Sequence, residues 1–579
     1  MIKLLRFLKP YRIVLVWVVI LAFAQAMANL YLPNLMADIV DNGIVKGDTD
    51  YIWRIGGIML LVTIGGTLAA VVGIFFSSRV ATGFGKIIRA QIFNRVAQFS
   101  LHEFDTVSTS SLITRTTNDT TQVQQVLVVM LNIMITAPFT LIAGIILAVN
   151  QDVGLSWILV VVIPILVLSI IILMSKAIPL FRSMQKKLDK LNLILDEGLT
   201  GVRVVRAFDR QKYEEQRFDE ANLELTDIAI RVNRLVASLM PIMMLVLNLS
   251  SVAILWFGAI RINNGDMQVG ALFAFLQYAM LILFALLMVS MMFIMLPRAA
   301  ASADRINEVL AIEPEIKDAD QVKLADEKKG YVEFQDVTFS YPGAEEPALS
   351  HISFSAVPGE VTAIIGGTGA GKSTLVSLIP RFYDIDSGHI LVDGVDIREM
   401  PQEHLRSKIG FVPQKAVLFS GTIDENIRYG KDDASDEEVY HAAEVAQATE
   451  FISEMKDGFN SVIAQGGTNV SGGQKQRLSI ARALVRKPEI YVFDDSFSAL
   501  DFKTDAWLRA ALKKEIREST VLIVSQRVST VMDADQIIVL DEGHIAGIGT
   551  HRALMRTSEV YREIVSSQLS VEEIAEEIA

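Results

Sequence analysis

Gly366-Gly367-Thr368-Gly369-Ala370-Gly371-Lys372-Ser373-Thr374 decides how the rest of the chain reads. The apolar run Val361-Thr362-Ala363-Ile364-Ile365 before it reads as a buried strand, and Leu375-Val376-Ser377-Leu378-Ile379 after it as the opening of a helix. Strand, glycine loop and helix in that order form the context that G-x-x-x-x-G-K-[ST] requires. Glycines let backbone N–H groups turn toward a phosphate, and the helix N-terminus adds its positive dipole end. Lys372 is expected to reach the β/γ-phosphates and the Ser373 hydroxyl to ligate Mg²⁺. The expected ligand is a nucleoside triphosphate.

Working outward, 579 residues are too many for one domain, and 51% of them are hydrophobic. A net charge of −13 argues against a nucleic-acid partner, and the absence of cysteine excludes disulfides, thiolate metal sites and cysteine nucleophiles. A bilayer crossing takes about 20 apolar residues. Six stretches meet that length: 13–32, 55–76, 126–149, 155–174, 236–260 and 271–296. The N-terminus carries Lys3, Arg6, Lys9 and Arg12 and lacks a small-residue cleavage signal, so it reads as a retained anchor rather than a signal peptide. Two long segments are basic. One holds Arg79, Lys86, Arg89, Arg95 and Arg115, the other Lys186, Lys187, Lys190, Arg203, Arg206, Arg210 and Lys212. Positive-inside bias places both, and both termini, in the cytoplasm of a plasma (inner) membrane protein. These segments also read as helical continuations of the spans.

Inside the spans charge is nearly absent, but Asn132, Asn248, Gln277, Tyr278 and Trp256 stand out. Met240, Met243, Met244, Met280, Met288, Met291, Met292 and Met295 crowd the last two spans, as an adaptable apolar cavity or ordinary packing would have it. Residues 312–330 read as a charged linker, giving a membrane domain 1–311 and a nucleotide domain 331–579. The acidic tail Glu572, Glu573, Glu576 and Glu577 reads as a solvated helical end.

Several motifs carry a resemblance to the ABC exporters. Ser108-Thr109-Ser110-Ser111-Leu112-Ile113-Thr114-Arg115-Thr116-Thr117-Asn118-Asp119 resembles their first intracellular loop, with Ser110 where Gly is usual. Glu197 through Gly201 to Phe208 resembles the second loop, and Ala301-Ser302-Ala303-Asp304-Arg305-Ile306 the exit from the sixth helix. Phe411-Val412-Pro413-Gln414 resembles the Q-loop. Asn469-Val470-Ser471-Gly472-Gly473-Gln474 is similar to the signature, with Val470 for Leu. Ile490-Tyr491-Val492-Phe493-Asp494 matches the Walker B strand, and Ser498-Ala499-Leu500-Asp501 the D-loop. The resemblance covers essentially the whole chain. It implies six transmembrane helices of exporter type plus an α/β P-loop ATPase domain.

From that resemblance, Tyr341 is expected to stack on adenine, and Gln414 and Asp494 to hold Mg²⁺ with Ser373. Ser471, Gly472, Gly473 and Gln474 would bind ATP held by a second subunit. Two catalytic positions break the pattern, and a residue just upstream of the signature departs from it as well. Gln465 stands where exporters commonly have Glu, Asp495 replaces the Glu that polarises the attacking water, and Gln526 replaces the switch His. Asp495 is one methylene short, and Gln526 has no proton that titrates near neutrality. An intact signature beside a degraded catalytic pair points to a heterodimer in which this chain's own site is degenerate. The implied cargo is hydrophobic or amphiphilic, as in bacterial heterodimeric multidrug exporters. A homodimeric lipid or drug flippase, a peptide exporter (though no protease domain precedes the first span) and a non-transporting ATP-binding regulator are the alternatives.

Overall fold

The computed structural model describes residues 2–319, 323 and 329–569. The acidic tail and part of the linker lie outside the described residues, as does the Met291 side chain. The chain divides into two compact units, Met1–Ala97 with Thr109–Ile312, and Gln98–Ser108 with Glu313–Ala579. The short stretch Gln98–Ser108, inside the sequence of the membrane domain, thus groups with the nucleotide-binding residues.

The first unit is built on six helices long and apolar enough to cross a membrane: Lys3–Ile44, Thr49–Val96, Thr109–Gln151, Val153–Thr200, Gln211–Asn263 and Val269–Ala311. At 1.5 Å per residue, the 48 residues of Thr49–Val96 run about 72 Å, more than twice a hydrocarbon core of about 30 Å. The apolar stretches read from sequence are therefore the middle parts of longer rods.

Carboxylates start two of these rods. Asp48 accepts from the Tyr51 N–H (2.9 Å) and Asp152 from the Leu155 N–H (2.7 Å), each filling one orphan donor of a helix N-terminus. Asp152 also pairs with Arg261 at 2.8 Å, and Gln151 bonds Asn34 at 2.9 Å. Tyr278 is fully buried and donates to the Leu30 carbonyl (3.0 Å), so it is a packing residue. Asn248, Gln277 and Trp256 are exposed in this chain, as are Met240, Met244, Met280 and Met288. Met243 and Met292 are buried and Met295 is half-buried.

Near the other ends, a π-helical turn at Arg115–Asp119 brings Asp119 to the last helix. Its nearly buried carboxylate accepts from Arg305 Nε (2.8 Å) and Nη2, while Ser302 and Arg115 close round the pair.

The second unit carries a six-stranded sheet in the order His544–Gly549, Gln536–Asp541, Val361–Gly366, Thr520–Val524, Ile490–Asp494, Ile409–Val412. Only the His544–Gly549 edge is antiparallel. Ile490–Asp494 and Thr520–Val524 are buried at every position, as a parallel sheet covered on both faces demands. An antiparallel sheet of Val332–Phe339, Leu349–Ala356, Ser387–Val392 and Val395–Asp396 packs on it through Phe334, Phe354, Leu375 and Ile490. The carboxyl ends of the three central strands meet at one edge, where open α/β sheets place their ligands.

Arg305→Ala leaves the Asp119 carboxylate buried without its partner. It should lower the stability of the membrane unit by about 1.5–3 kcal/mol. Thermal unfolding of the purified protein measures this, and the double change Asp119→Ala/Arg305→Ala should recover part of the loss.

Candidate functional site

The loop after Val361–Gly366 turns on positions where only glycine fits. Gly369 and Gly371 sit at φ +86° and +93°, and a Cβ on Gly366 would lie 2.1 Å from the Leu540 carbonyl oxygen. Gly371 caps the helix Lys372–Leu378. The nearly buried Lys372 donates its Nζ to the carbonyls of Gly366 (3.0 Å) and Gly367 (2.6 Å), which curls the loop round the ammonium. Burial lowers the Lys372 pKa, and the neighbouring Asp495 and Asp494 pull it back up. Thr368 and Ala370 fill the loop between these points, and Ala370 N–H bonds back to Gly367 O at 3.3 Å.

Ser373 follows Lys372 and points its hydroxyl at Asp494 Oδ1, 2.8 Å away. Asp494 ends the fully buried strand Ile490–Asp494, and Asp495 turns the chain at φ +44°, with its N–H on the Val524 carbonyl (3.0 Å). Both carboxyls are nearly buried. Burial raises the pKa of each, against a Ser373 bond at Asp494 and Gln414 and Ser498 bonds at Asp495. Gln414 Nε2 lies 3.4 Å from Asp495 Oδ2, and the Gln526 backbone also lowers the Asp495 pKa. Lys372, Ser373, Gln414, Asp494 and Asp495 are thus brought together from two strand ends and the glycine loop. The cluster offers hydroxyl, carboxylate and amide oxygens, the hard donors that suit Mg²⁺.

Tyr341 stands beside the loop. Its hydroxyl meets Thr374 Oγ1 at 2.9 Å, and its ring packs edge-on against Phe339 (5.0 Å) and Tyr383 (5.4 Å) with one side exposed. The Gln526 side chain is exposed at the end of Thr520–Val524.

The signature residues lie elsewhere. Ser471 caps the helix Gly472–Val485, taking the Gln474 N–H (3.3 Å), and the Gln474 side chain returns the bond to the Ser471 N–H (2.9 Å). Ser471 and Gly472 face solvent, and a Cβ on Gly472 would meet nothing within 4 Å. Gly473 has less room: a Cβ there would lie 3.3 Å from the Ala499 carbonyl oxygen. Among the described residues no hydrogen bond or ion pair joins Ser471–Gln474 to the glycine loop. Asp501 caps the helix Phe502–Glu515 by accepting from Thr504 N–H (2.9 Å) and Oγ1 (2.8 Å). Gln465 is exposed in the loop before the signature.

Sequence reading missed the residues that tie these loops together. Arg527 donates to Ser498 O (3.0 Å) and lies over the Phe502 ring. Gln568 donates to the Gln526 carbonyl (2.7 Å) and accepts from the Val528 N–H (2.9 Å). Nothing local to Gln568 signals a bond to residues some forty positions earlier.

With this geometry in view, the comparisons are specific. Residues 15–287 match the ABC transporter transmembrane region and residues 349–498 the ABC transporter family. An uncharacterised ABC transporter ATP-binding protein of Mycobacterium tuberculosis is 44% identical over 565 residues, 97% of each chain. This chain belongs to the ABC transporter family. Other relatives of the transporter include a Bacillus subtilis protein named for multidrug export, 32% identical over 98% of this chain and 99% of its own. The ATP-dependent lipid A-core flippase of Vibrio vulnificus is 30% identical over 97% and 96%. The solved structure of an ATP-bound bacterial Atm1-family ABC exporter superposes with a TM-score of 0.80 at 26% identity, over 97% of this chain and 99% of that one. The transporter is an ATP-driven exporter half with ATPase activity, a multi-pass membrane protein carrying one ATP-binding domain.

A carboxyl whose folded pKa lies above its ordinary 3.8 costs stability when ionised. That cost is complete above the folded pKa and vanishes below 3.8. Asp495→Asn should therefore raise the Tm of the nucleotide-free transporter at pH 7, as thermal unfolding of the purified protein would measure. The gain should disappear on titration below pH 3.8.

Proposed function

We propose that this chain is one half of a heterodimeric exporter of hydrophobic or amphiphilic compounds in the plasma membrane, both termini cytoplasmic, and that its own ATP site is degenerate. One observation carries the reading: Asp495 and Gln526 occupy the two catalytic positions of a site otherwise intact from Lys372 to Asp494. The domain division 1–311, 312–330 and 331–579 belongs to the same reading.

At the glycine loop, the Gly366–Gly371 amides and the Lys372 ammonium bind the phosphates of ATP, and Tyr341 stacks on the adenine. Ser373, Asp494 and Gln414 would hold Mg²⁺, which when bound neutralises phosphate charge. Asp495 faces the position of the attacking water from one methylene further back than Glu. A misplacement of about 1 Å can cost about 10²-fold in rate. Gln526 can hydrogen-bond the γ-phosphate but cannot exchange a proton with it near pH 7. ATP is therefore held here through many cycles. Ser471, Gly472, Gly473 and Gln474, free of their own loop, present N–H donors to ATP on the partner subunit, where an ordinary Glu and His complete the competent site. The printed names of the relatives, multidrug export and lipid A-core flipping, both describe amphiphilic cargo and support the same cargo class here. The exposed methionines of the last two spans suit it.

Two measurements on the purified pair test the asymmetry. Asp495→Asn should lower ATPase turnover less than about threefold, while the amide change at the partner's catalytic glutamate should cost about 10²–10⁴-fold. Equal losses, or recovery of this chain alone as a fully active dimer, would refute the heterodimeric reading. Separately, Gly472→Glu places a carboxylate where the partner's ATP would sit. It should abolish most turnover while photocrosslinking of ATP to this subunit's own Lys372 loop is unchanged. Turnover at the wild-type level would rule out trans action.

A further inference from the structure

Between the first, second and third membrane helices lies a cavity of about 180 Å³ whose walls mix apolar groups with Gln25, Asn132 and Thr136. It sits where the third helix widens into a π-helical turn over Met130–Met134, a distortion that often marks a functional site. Val18, Ala22 and Leu131 are buried on its inner side. Ile74, 53% exposed, marks its opening, and the neighbouring exposed Val71 and Phe75 continue an apolar path along the second helix.

The polar groups here are incompletely used. Asn132 donates one N–H to the Val128 carbonyl (2.9 Å). A carbonyl cannot donate, so this contact fixes the amide orientation and leaves Asn132 Oδ1 as an acceptor. Among the described residues nothing hydrogen-bonds to the Gln25 side chain or to Asn132 Oδ1. Thr136 gives its proton to the Asn132 backbone carbonyl (2.7 Å) and keeps oxygen lone pairs. In a hydrocarbon environment each unmet polar group is costly, and such groups are met by other helices or by something in the cavity. Among the described residues no ionisable side chain lines the cavity, so they provide no counter-charge for an ion.

The geometry points to a cargo-binding subsite in which Gln25 and Asn132 hold an uncharged hydrogen-bonding head, a hydroxyl or carboxamide, while the apolar body of the molecule lies along Val71 and Phe75. This deepens the proposed cargo class and rests on it. Gln25 and Asn132 then determine specificity within that class: among amphiphiles of equal apolar area, those with a neutral head that can both donate and accept bind more tightly. A cavity of this size admits the head alone, so the rest of the molecule can vary widely in length and shape.

The test uses a matched fluorescent pair, 1-pyrenebutanol and 1-butylpyrene, which differ by one hydroxyl. Binding to the full transporter complex in lipid nanodiscs is measured against empty nanodiscs. The wild type should bind the alcohol about tenfold more tightly than the hydrocarbon, the worth of one or two satisfied hydrogen bonds. Gln25→Met and Asn132→Leu, close in size to the residues they replace, should each bring that ratio toward one. Fluorescent ATP-analogue binding at the Lys372 loop should stay at the wild-type level, showing that the variants are folded. A wild-type ratio of one overturns the subsite and leaves the hydrophobic cargo class standing. A ratio that survives both substitutions also overturns it, because the amides then hold water only. Failure of the wild type to bind either probe overturns the cargo class together with the subsite.

Discussion

A buried lysine ammonium organises the nucleotide-binding unit. Lys372 Nζ is wrapped by the carbonyls of Gly366 and Gly367, and the Asp494 and Asp495 carboxylates favour its charge. An ammonium taken out of water has to find oxygen partners. It finds them only because Gly369 and Gly371 take left-handed conformations and Gly366 lets the loop pass against Leu540. The parallel strand order then brings Asp494 and the Thr520–Val524 strand end to the same edge as the loop. Both carboxyls have raised pKa values because burial dominates at each. The site therefore holds ionised groups at a cost that a bound polyphosphate and its cation would offset.

The membrane unit obeys the complementary constraint. Its rods satisfy their own backbones, so their remaining polar groups concentrate at ends and contacts: Asp48, Asp152 with Arg261, Asn34 with Gln151, and Asp119 with Arg305. Tyr278 bonding to Leu30 shows a hydroxyl buried for packing. Gln25 and Asn132 depart from this pattern, since part of their hydrogen-bonding capacity faces a cavity.

Much of this was legible in the chain. The glycine loop was readable because its chemistry needs residue types at fixed local spacing, and the six spans because bilayer thickness sets a minimum apolar length. The signature cap was equally local, with Ser471 and Gln474 three residues apart in a capping box. Less legible was how far each membrane helix runs, since the charged continuations of Thr49–Val96 and Val153–Thr200 have no apolar signal to mark their ends. Tyr278 could not be assigned to packing from sequence, because a tyrosine in a span looks the same whether its hydroxyl meets a cavity or the Leu30 carbonyl.

The sequence by itself determined which groups the ATP site contains, including the shortened carboxylate of Asp495 and the amide of Gln526, because side-chain chemistry is a property of the residue. Tertiary structure alone decided which distant groups reach them. Gln568 bonds on both sides of Gln526, Arg527 reaches Ser498, and Gln98–Ser108 groups with the nucleotide-binding residues although flanked by membrane helices. Gln25 and Asn132 share one cavity across more than a hundred residues of chain. Such contacts depend on sheet order and helix packing, which sum weak interactions over the whole fold, and no local pattern encodes them.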